Sequence, residues 1–428
     1  MSRPVRCLDT RPLRSSRPFR DLWIGSSAAQ LGGQIATVAV LAQVWDLTGS
    51  PVGTGAIGLA TGLPMVLFGL LGGTLADSVD RRAVVRVTAV GQLLAAVGLL
   101  AQALADNRSV PLLLALVAMG TACGALGAPA RRTFPVRLLP SDQVAAGLAL
   151  TNVSFQAAML AGPALAGLII ARWGFPAAYA VQAVTVAVSM LAVIRLPAMK
   201  PEGVDAKGGR RRPERGGWGI ILRRPTLWGS MATDLSATLL AMPIALFPLV
   251  NEVRFDGNPQ TLGLFLSAVA VGGITAGLLS GTVTRWRRGG LVQVTAAGVW
   301  GVALAGFGLA APLWLALGCL AVAGAADTVS VVTRSALVQL ETPDAYRGRV
   351  SSVEHVIGVA GPELGNFRGG LLASVTSASF SLVAGGLSAV LAIAAVAATN
   401  APLRAYRTPS AATEPTARGV ADAATAAG

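Results

Sequence analysis

Charge is scarce in this chain. Asp, Glu, Lys and Arg make up only 13% of its 428 residues, about half the share of an ordinary soluble domain. That shortage argues against a water-exposed globular protein. Cysteine is nearly absent: Cys7, Cys123 and Cys319 have no metal spacing and build no disulfide framework. His355 is the sole histidine. No phosphate-binding Walker loop, metal cluster or nucleophile–base arrangement occurs, so the reading is not an enzyme, with no cofactor and no metal. Aromatic residues are few, at 5%. What is abundant is Ala, Gly, Leu and Val; hydrophobic residues reach 53% and the mean hydropathy is +0.63. Small residues in this proportion suit helices packed closely within a bilayer. The net charge of +14 does not indicate nucleic acid, because the basic residues sit in short segments between apolar runs.

A bilayer crossing needs about 20 mostly apolar residues. Twelve segments qualify: 21–45, 52–76, 84–105, 110–130, 144–171, 176–196, 226–250, 261–284, 290–310, 313–334, 351–375 and 378–399. Pro243 and Pro248 should bend or break the seventh near its outer end. With the amino terminus in the cytoplasm, 30 of the 34 Lys and Arg fall on inside segments and three (Arg108, Arg172, Arg254) on outside loops. Arg368 lies within a span. By the positive-inside rule this asymmetry supports twelve crossings of the cell inner membrane with both termini cytoplasmic. Residues 1–18 read as a basic cytoplasmic arm, with a mitochondrial transit peptide as the alternative. Residues 197–225 contain KPEGVDAKGGRRRPERGG and read as a basic linker lying along anionic headgroups. It separates a first bundle, 19–196, from a second, 226–400, and residues 401–428 read as a disordered tail. The halves repeat: ARRTFPVRLLPSDQVAAGLAL at 130–150 resembles TRSALVQLETPDAYRGRVSSV at 333–353, and Gly162-Pro163 matches Gly361-Pro362. Such a repeat is what a two-fold transporter architecture predicts.

One charged knot stands at the end of the second segment, GGTLADSVDRR at 72–82. Gly73-x-Leu75-Ala76-Asp77-x-x-Asp80-Arg81-Arg82 resembles the loop 2–3 signature of the major facilitator superfamily, with Ser78 and Asp80 departing from its usual basic residue and Gly. Residues 131–167, from Arg131, Arg132 and Pro135 through Leu139-Pro140 to Gly162-Pro163 and Gly167, are similar to a drug and siderophore exporter branch that includes the enterobactin exporter. The resemblance implies an all-α membrane protein, 12 transmembrane helices in two pseudo-symmetric six-helix bundles, the major facilitator fold. It implies a secondary active transporter, in the first place a proton-coupled exporter of a small amphipathic molecule (drug, siderophore or secondary metabolite), energised by the proton gradient. Uptake of a nutrient by the same fold, and a non-transporting receptor or scaffold, stand as alternatives. Nothing in the chain demands more than a monomer.

In the family the Asp matching Asp77 caps a gate by facing the amino terminus of helix 11, where an anion is favoured by the helix dipole. Asp77, Arg81, Arg82 and Asp142, with Gly73, are therefore expected to form a latch on the inside; the plain alternative is a loop whose acid balances its bases. Asp327, Glu363 and Arg368 lie within spans, where charges are expensive and face a cavity or a partner. They are candidates for the proton or substrate site, or for an interhelical ion pair such as Asp327 with Arg368. At about 100° per residue Arg368 falls within about 20° of Gly361, whereas Glu363 points about 200° away from it. Gln34 and Asn152 lie on helices whose family equivalents line the central cavity; amides there also glue helices together. His355 is expected near an interface. Gly162, Pro163, Gly167, Gly361, Pro362 and Gly365 form the expected helix-packing motif.

Overall fold

The computed structural model describes residues 10–78, 80–132, 134–195, 217–279, 288–342 and 346–407. Among them there is no strand. The membrane helices are α1 (Arg17–Thr48), α2 (Pro51–Ser78), α3 (Arg81–Leu104) and α4 (Val110–Arg132). One continuous helix, Val144–Ile194, follows; it turns at Gly174, whose φ of 74° a residue with a side chain rarely adopts, and so divides into α5 (144–173) and α6 (175–194). The second half holds α7 (Pro225–Phe255), α8 (Pro259–Leu278), α9 (Gly289–Leu309), α10 (Leu313–Glu341), α11 (Arg347–Val375) and α12 (Ala378–Thr399). Among the described residues ten helices are apolar and long enough to cross a membrane, with Val144–Ile194 counted once and α11 left out. The α11 sequence carries Glu354, His355, Glu363 and Arg368, which lower its hydropathy. The arrangement is consistent with twelve crossings.

Most ends fall within a turn or two of the expected positions, and three differ for physical reasons. α10 runs on to Glu341 rather than stopping at 334, so Arg334 belongs to a membrane helix and not to a connection. Part of the expected linker, 217–223, is helical, and Pro225 already opens α7; residues 197–216 lie outside the described residues. The start of the expected tail, Ala401–Ala405, is also a helix. Its Leu403 is buried beside Leu227 and Met231, because the Asn400 side chain caps the turn and donates to the Pro225 carbonyl at 2.6 Å.

Each half is built on the same crossing. Gly162 lets α5 approach α1 at Gln34 and Leu31, and Gly361 lets α11 approach α7 at Thr238 and Leu235. The sequence repeat is thus a repeat of contact. By the same register Gln30 of α1 stands where Asp234 stands on α7. Cys123 fills the space in front of Gly91, and Cys319 does so at Gly306, a packing role for both. The main apolar core runs through both halves and includes the edge-to-face rings of Phe247, Phe265 and Phe307.

Candidate functional site

The bundle has a linker end, where residues 195 and 217 lie, and a far end, where the loops at 49–50, 173–175 and 255–258 lie. The halves are zipped together toward the far end. Gly167 of α5 meets the backbone of Pro259 and Gln260 at the start of α8, and Gly370 of α11 meets the backbone of Pro51 and Gly55 at the start of α2. These two crossings are counterparts under the pseudo-two-fold. Hydrogen bonds fasten both: Ser267 Oγ donates to the Leu160 carbonyl at 3.0 Å, and Thr54 Oγ1 to the Ala245 carbonyl at 2.7 Å. The Ala245 amide in turn donates to Asn366 Oδ1 at 3.1 Å. Toward the linker end, a side chain at Gly69 of α2 or Gly277 of α8 would meet open space.

Glu363 sits in this inter-half seam. Gly58 and Gly62 of α2 leave the space that it fills, and its carboxylate lies near Thr61 of α2 and Asn366. The helical-wheel expectation holds: Gly361 faces α7 and Glu363 faces away from it. Arg368 differs from the ion-pair expectation. Its guanidinium donates to the carbonyls of Leu239 and Leu240, the first at 2.9 Å. The reason lies in α7, whose helix stops at Ala241 because Pro243 cannot supply the next amide. Its last carbonyls are left without helical partners, and a cation satisfies them. Pro248, by contrast, lies in the first turn of the resumed helix Phe247–Phe255, where proline is tolerated.

Asp327 has a different neighbour. It lies seven residues before Arg334 on α10, on the same face and about 10 Å away along the axis. Arg334 is already engaged. Its guanidinium contacts the Asp234 carboxylate of α7 directly, with side-chain exposures of 8% and 7%, and its Nε lies 3.5 Å from Glu354 Oε1 of α11. Ser335 Oγ adds a hydrogen bond to Glu354 Oε1 at 3.1 Å. Two carboxylates therefore flank one guanidinium inside the second half, and Asp327 has no ion pair among the described residues. Sequence reasoning overlooked Asp234 and Glu354 and placed Arg334 outside the membrane. Asp234 was legible as the single acid between residues 226 and 250; Arg334 and Glu354 were not, since their depth depends on where α10 ends and α11 begins.

The first half has no such cluster among the described side chains. It holds a cavity of about 400 Å³ between α1, α2, α3, α4 and α6. The polar members of its wall include Thr37, Thr61, Gln92, Arg131, Gln182 and Ser189. Gln34 does not line it; its Cβ packs under Gly162. Asn152 is exposed. His355 is exposed near the start of α11. Gly365 packs against the Thr238 backbone and Met242, and the carbonyl of Pro163 faces Gly263 of α8. Pro362 lies inside α11. For the expected latch, Asp80 caps α3 by accepting from the Arg82 amide at 2.9 Å, and Asp142 is exposed in the 3-10 turn before α5. The side chains of Asp77 and Arg81, and the surroundings of Gly73, lie outside the described residues.

Two pseudo-symmetric helical halves that meet across glycine crossings, with charges held inside the membrane helices, define a transporter of the major facilitator fold, a multi-pass inner-membrane protein and not an enzyme. The chain belongs to the transmembrane secretion effector family, whose profile matches residues 9–422. It is similar to the enterobactin exporter EntS of Citrobacter koseri, 26% identical over 391 residues covering 90% of this chain and 92% of that one. The EntS of Shigella boydii is 25% identical over 377 residues, covering 86% and 89%. Among solved structures, a mutant of the nucleoside transporter NupG superposes with a TM-score of 0.71 at 14% identity, covering 89% of this chain and 99% of that one. A bacterial homologue of the iron transporter ferroportin, in an inward-facing state, gives 0.69 at 15% identity, covering 90% and 99%. The D-xylose–proton symporter gives 0.64 at 16% identity, covering 90% and 97%.

Proposed function

We propose that this protein is a proton-coupled exporter of a small amphipathic molecule, a drug, siderophore or secondary metabolite, working as a monomer by alternating access. The arm, linker and tail face the cytoplasm, with the basic linker along anionic headgroups, so a closed far end and an open linker end correspond to an inward-facing state. Glu363 carries the reading. It is a carboxylate of one half packed into the space left by Gly58 and Gly62 of the other, in a seam that must part when the far end opens. Protonation removes the charge held in that seam, so proton uptake from outside and parting of the halves are one event. Asp327, two turns before the engaged Arg334 on the same helix and without an ion pair among the described residues, is the second proton candidate. The direction rests on the likeness to the curated exporters, since the solved neighbours include a symporter that works with the same fold.

The test is flux of a labelled amphipath in inside-out vesicles and in reconstituted liposomes under an imposed pH gradient. Accumulation in inside-out vesicles, driven by acid inside and lost in Glu363→Gln or Asp327→Asn, is expected. Flux with unchanged pH dependence in both variants overturns the coupling assignment. Accumulation by whole cells instead makes the protein an importer, and no flux in either system leaves the receptor or scaffold reading.

A further inference from the structure

Arg131 occupies an unusual position. It stands in the last turn of α4 and lines the first-half cavity. Its Nη2 donates to Gln92 Oε1 at 2.8 Å, and its Nε is buried with no hydrogen-bond partner. No carboxylate among the described side chains pairs with it. The guanidinium in the second half has two carboxylates close by, whereas this one has, among the described side chains, a single neutral amide. A cation among membrane helices is costly unless an opposite charge meets it, and guanidinium is suited to two-point recognition of an oxyanion.

The rest of the wall supplies the other half of the chemistry. Val40, Leu99, Leu116 and Val117 make its upper part apolar, while Gln182, also with a buried carbonyl oxygen lacking a partner, sits across on α6. A volume of about 400 Å³ lies within the range of sites that enclose drug-sized ligands, about 300–1,000 Å³. The space is not sealed: Met65 is 37% exposed and Thr37 is also exposed. Room for a ligand is real at Gly33, where an added Cβ would meet nothing within 4 Å. Every lining residue belongs to the first half, so the site travels intact with that half when the bundles rock.

We infer that this cavity is the cargo site and that it takes an amphipathic anion, an acidic head on Arg131 and Gln92 with an apolar body between α1, α3 and α4. This rests on the transport reading above and specifies its substrate class. Thr61 joins the cavity to the seam, since it lines the one and lies near Glu363 in the other.

The experiment uses the full-length protein in discs of zwitterionic lipid. Three probes of matched size are titrated: 2-naphthoate, neutral 2-naphthamide and cationic 2-naphthylmethylamine. The naphthoate is expected to bind at least about tenfold more tightly than the other two, the scale of one charge-assisted contact. Arg131→Gln should erase that preference and Arg131→Lys should keep most of it. Gly33→Trp, which fills the space on the α1 side of the cavity, should abolish binding of all three. Equal affinity for the three probes, or a preference that survives both Arg131→Gln and Gly33→Trp, overturns the inference. Loss of naphthoate binding on adding phosphatidylglycerol to the discs assigns the site to a lipid and likewise overturns it. The two readings fail separately. Charge-selective binding without proton-driven flux refutes the coupling alone, and proton-driven flux without charge-selective binding refutes the anion site alone.

Discussion

At the scale of the residue, the second half is governed by Asp234, Arg334 and Glu354. Asp234 and Arg334 are almost wholly buried, at 7% and 8% side-chain exposure. A buried ion pair contributes little net stability, but removing one partner strands the other and costs about 3–5 kcal/mol. Asp234→Asn or Arg334→Gln alone should therefore lower the thermal unfolding midpoint in detergent markedly, and the double variant should recover part of the loss. A double variant as unstable as the sum of the singles would show that the two do not interact. Legibility at this scale was uneven. Glu363 and Asp327 stood out as acids in apolar runs, yet what each touches depends on a neighbour far away in the chain.

At the scale of the element, α7 and α11 share one problem and one solution. Pro243 ends the first part of α7 and frees carbonyls in the membrane, and Arg368 of α11 caps Leu239 and Leu240. Hydrogen bonds from a charged donor contribute about 1.5–3 kcal/mol. Arg368→Met is expected to destabilise by about that amount in a denaturant or thermal assay, while leaving amphipath binding in the first half intact. If Arg368 instead serves cargo, the variant will unfold normally and lose binding. The break in α7 was readable from proline; the partner of its carbonyls was not, because the helix-wheel argument could say only which side of α11 the arginine occupies. The glycine crossings were readable as spacing and became specific only once Gly370 was seen against Pro51. Gly370→Val would press a side chain into that backbone. Spin labels across α2 and α11 at the far end should then report longer distances, and an unchanged distribution would mean that this crossing does not set the closed state.

At the scale of the whole molecule, the two halves use the same sequence register for their internal crossing and diverge in charge. The second half concentrates acids around Arg334, and the first encloses a cavity with Arg131 on its wall. We propose that Asp77 latches α2 to α11 when the linker end closes. Asp77→Asn should shift label distances between α2 and α11 at the linker end toward the open population, by an amount that high salt mimics in the wild type. Insensitivity of those distances to Asp77→Asn would remove the latch. Its repeat counterpart at 285 is Arg rather than Asp, so the latch belongs to one half only.

The amino-acid sequence by itself determined the solvent, the class and the repeat. A chain with 13% charge and apolar runs of bilayer length has few ways to satisfy its backbone other than helices that span, and its basic residues had to gather at one set of loop ends. Tertiary structure decided which charges are functional neighbours. A helix places its residues on faces from local periodicity alone, but which helix meets a given face follows from packing between segments more than a hundred residues apart. That packing set Arg334 against Asp234, Glu363 against Thr61 and Arg131 beside an empty space, and no local pattern in the chain distinguishes those three outcomes.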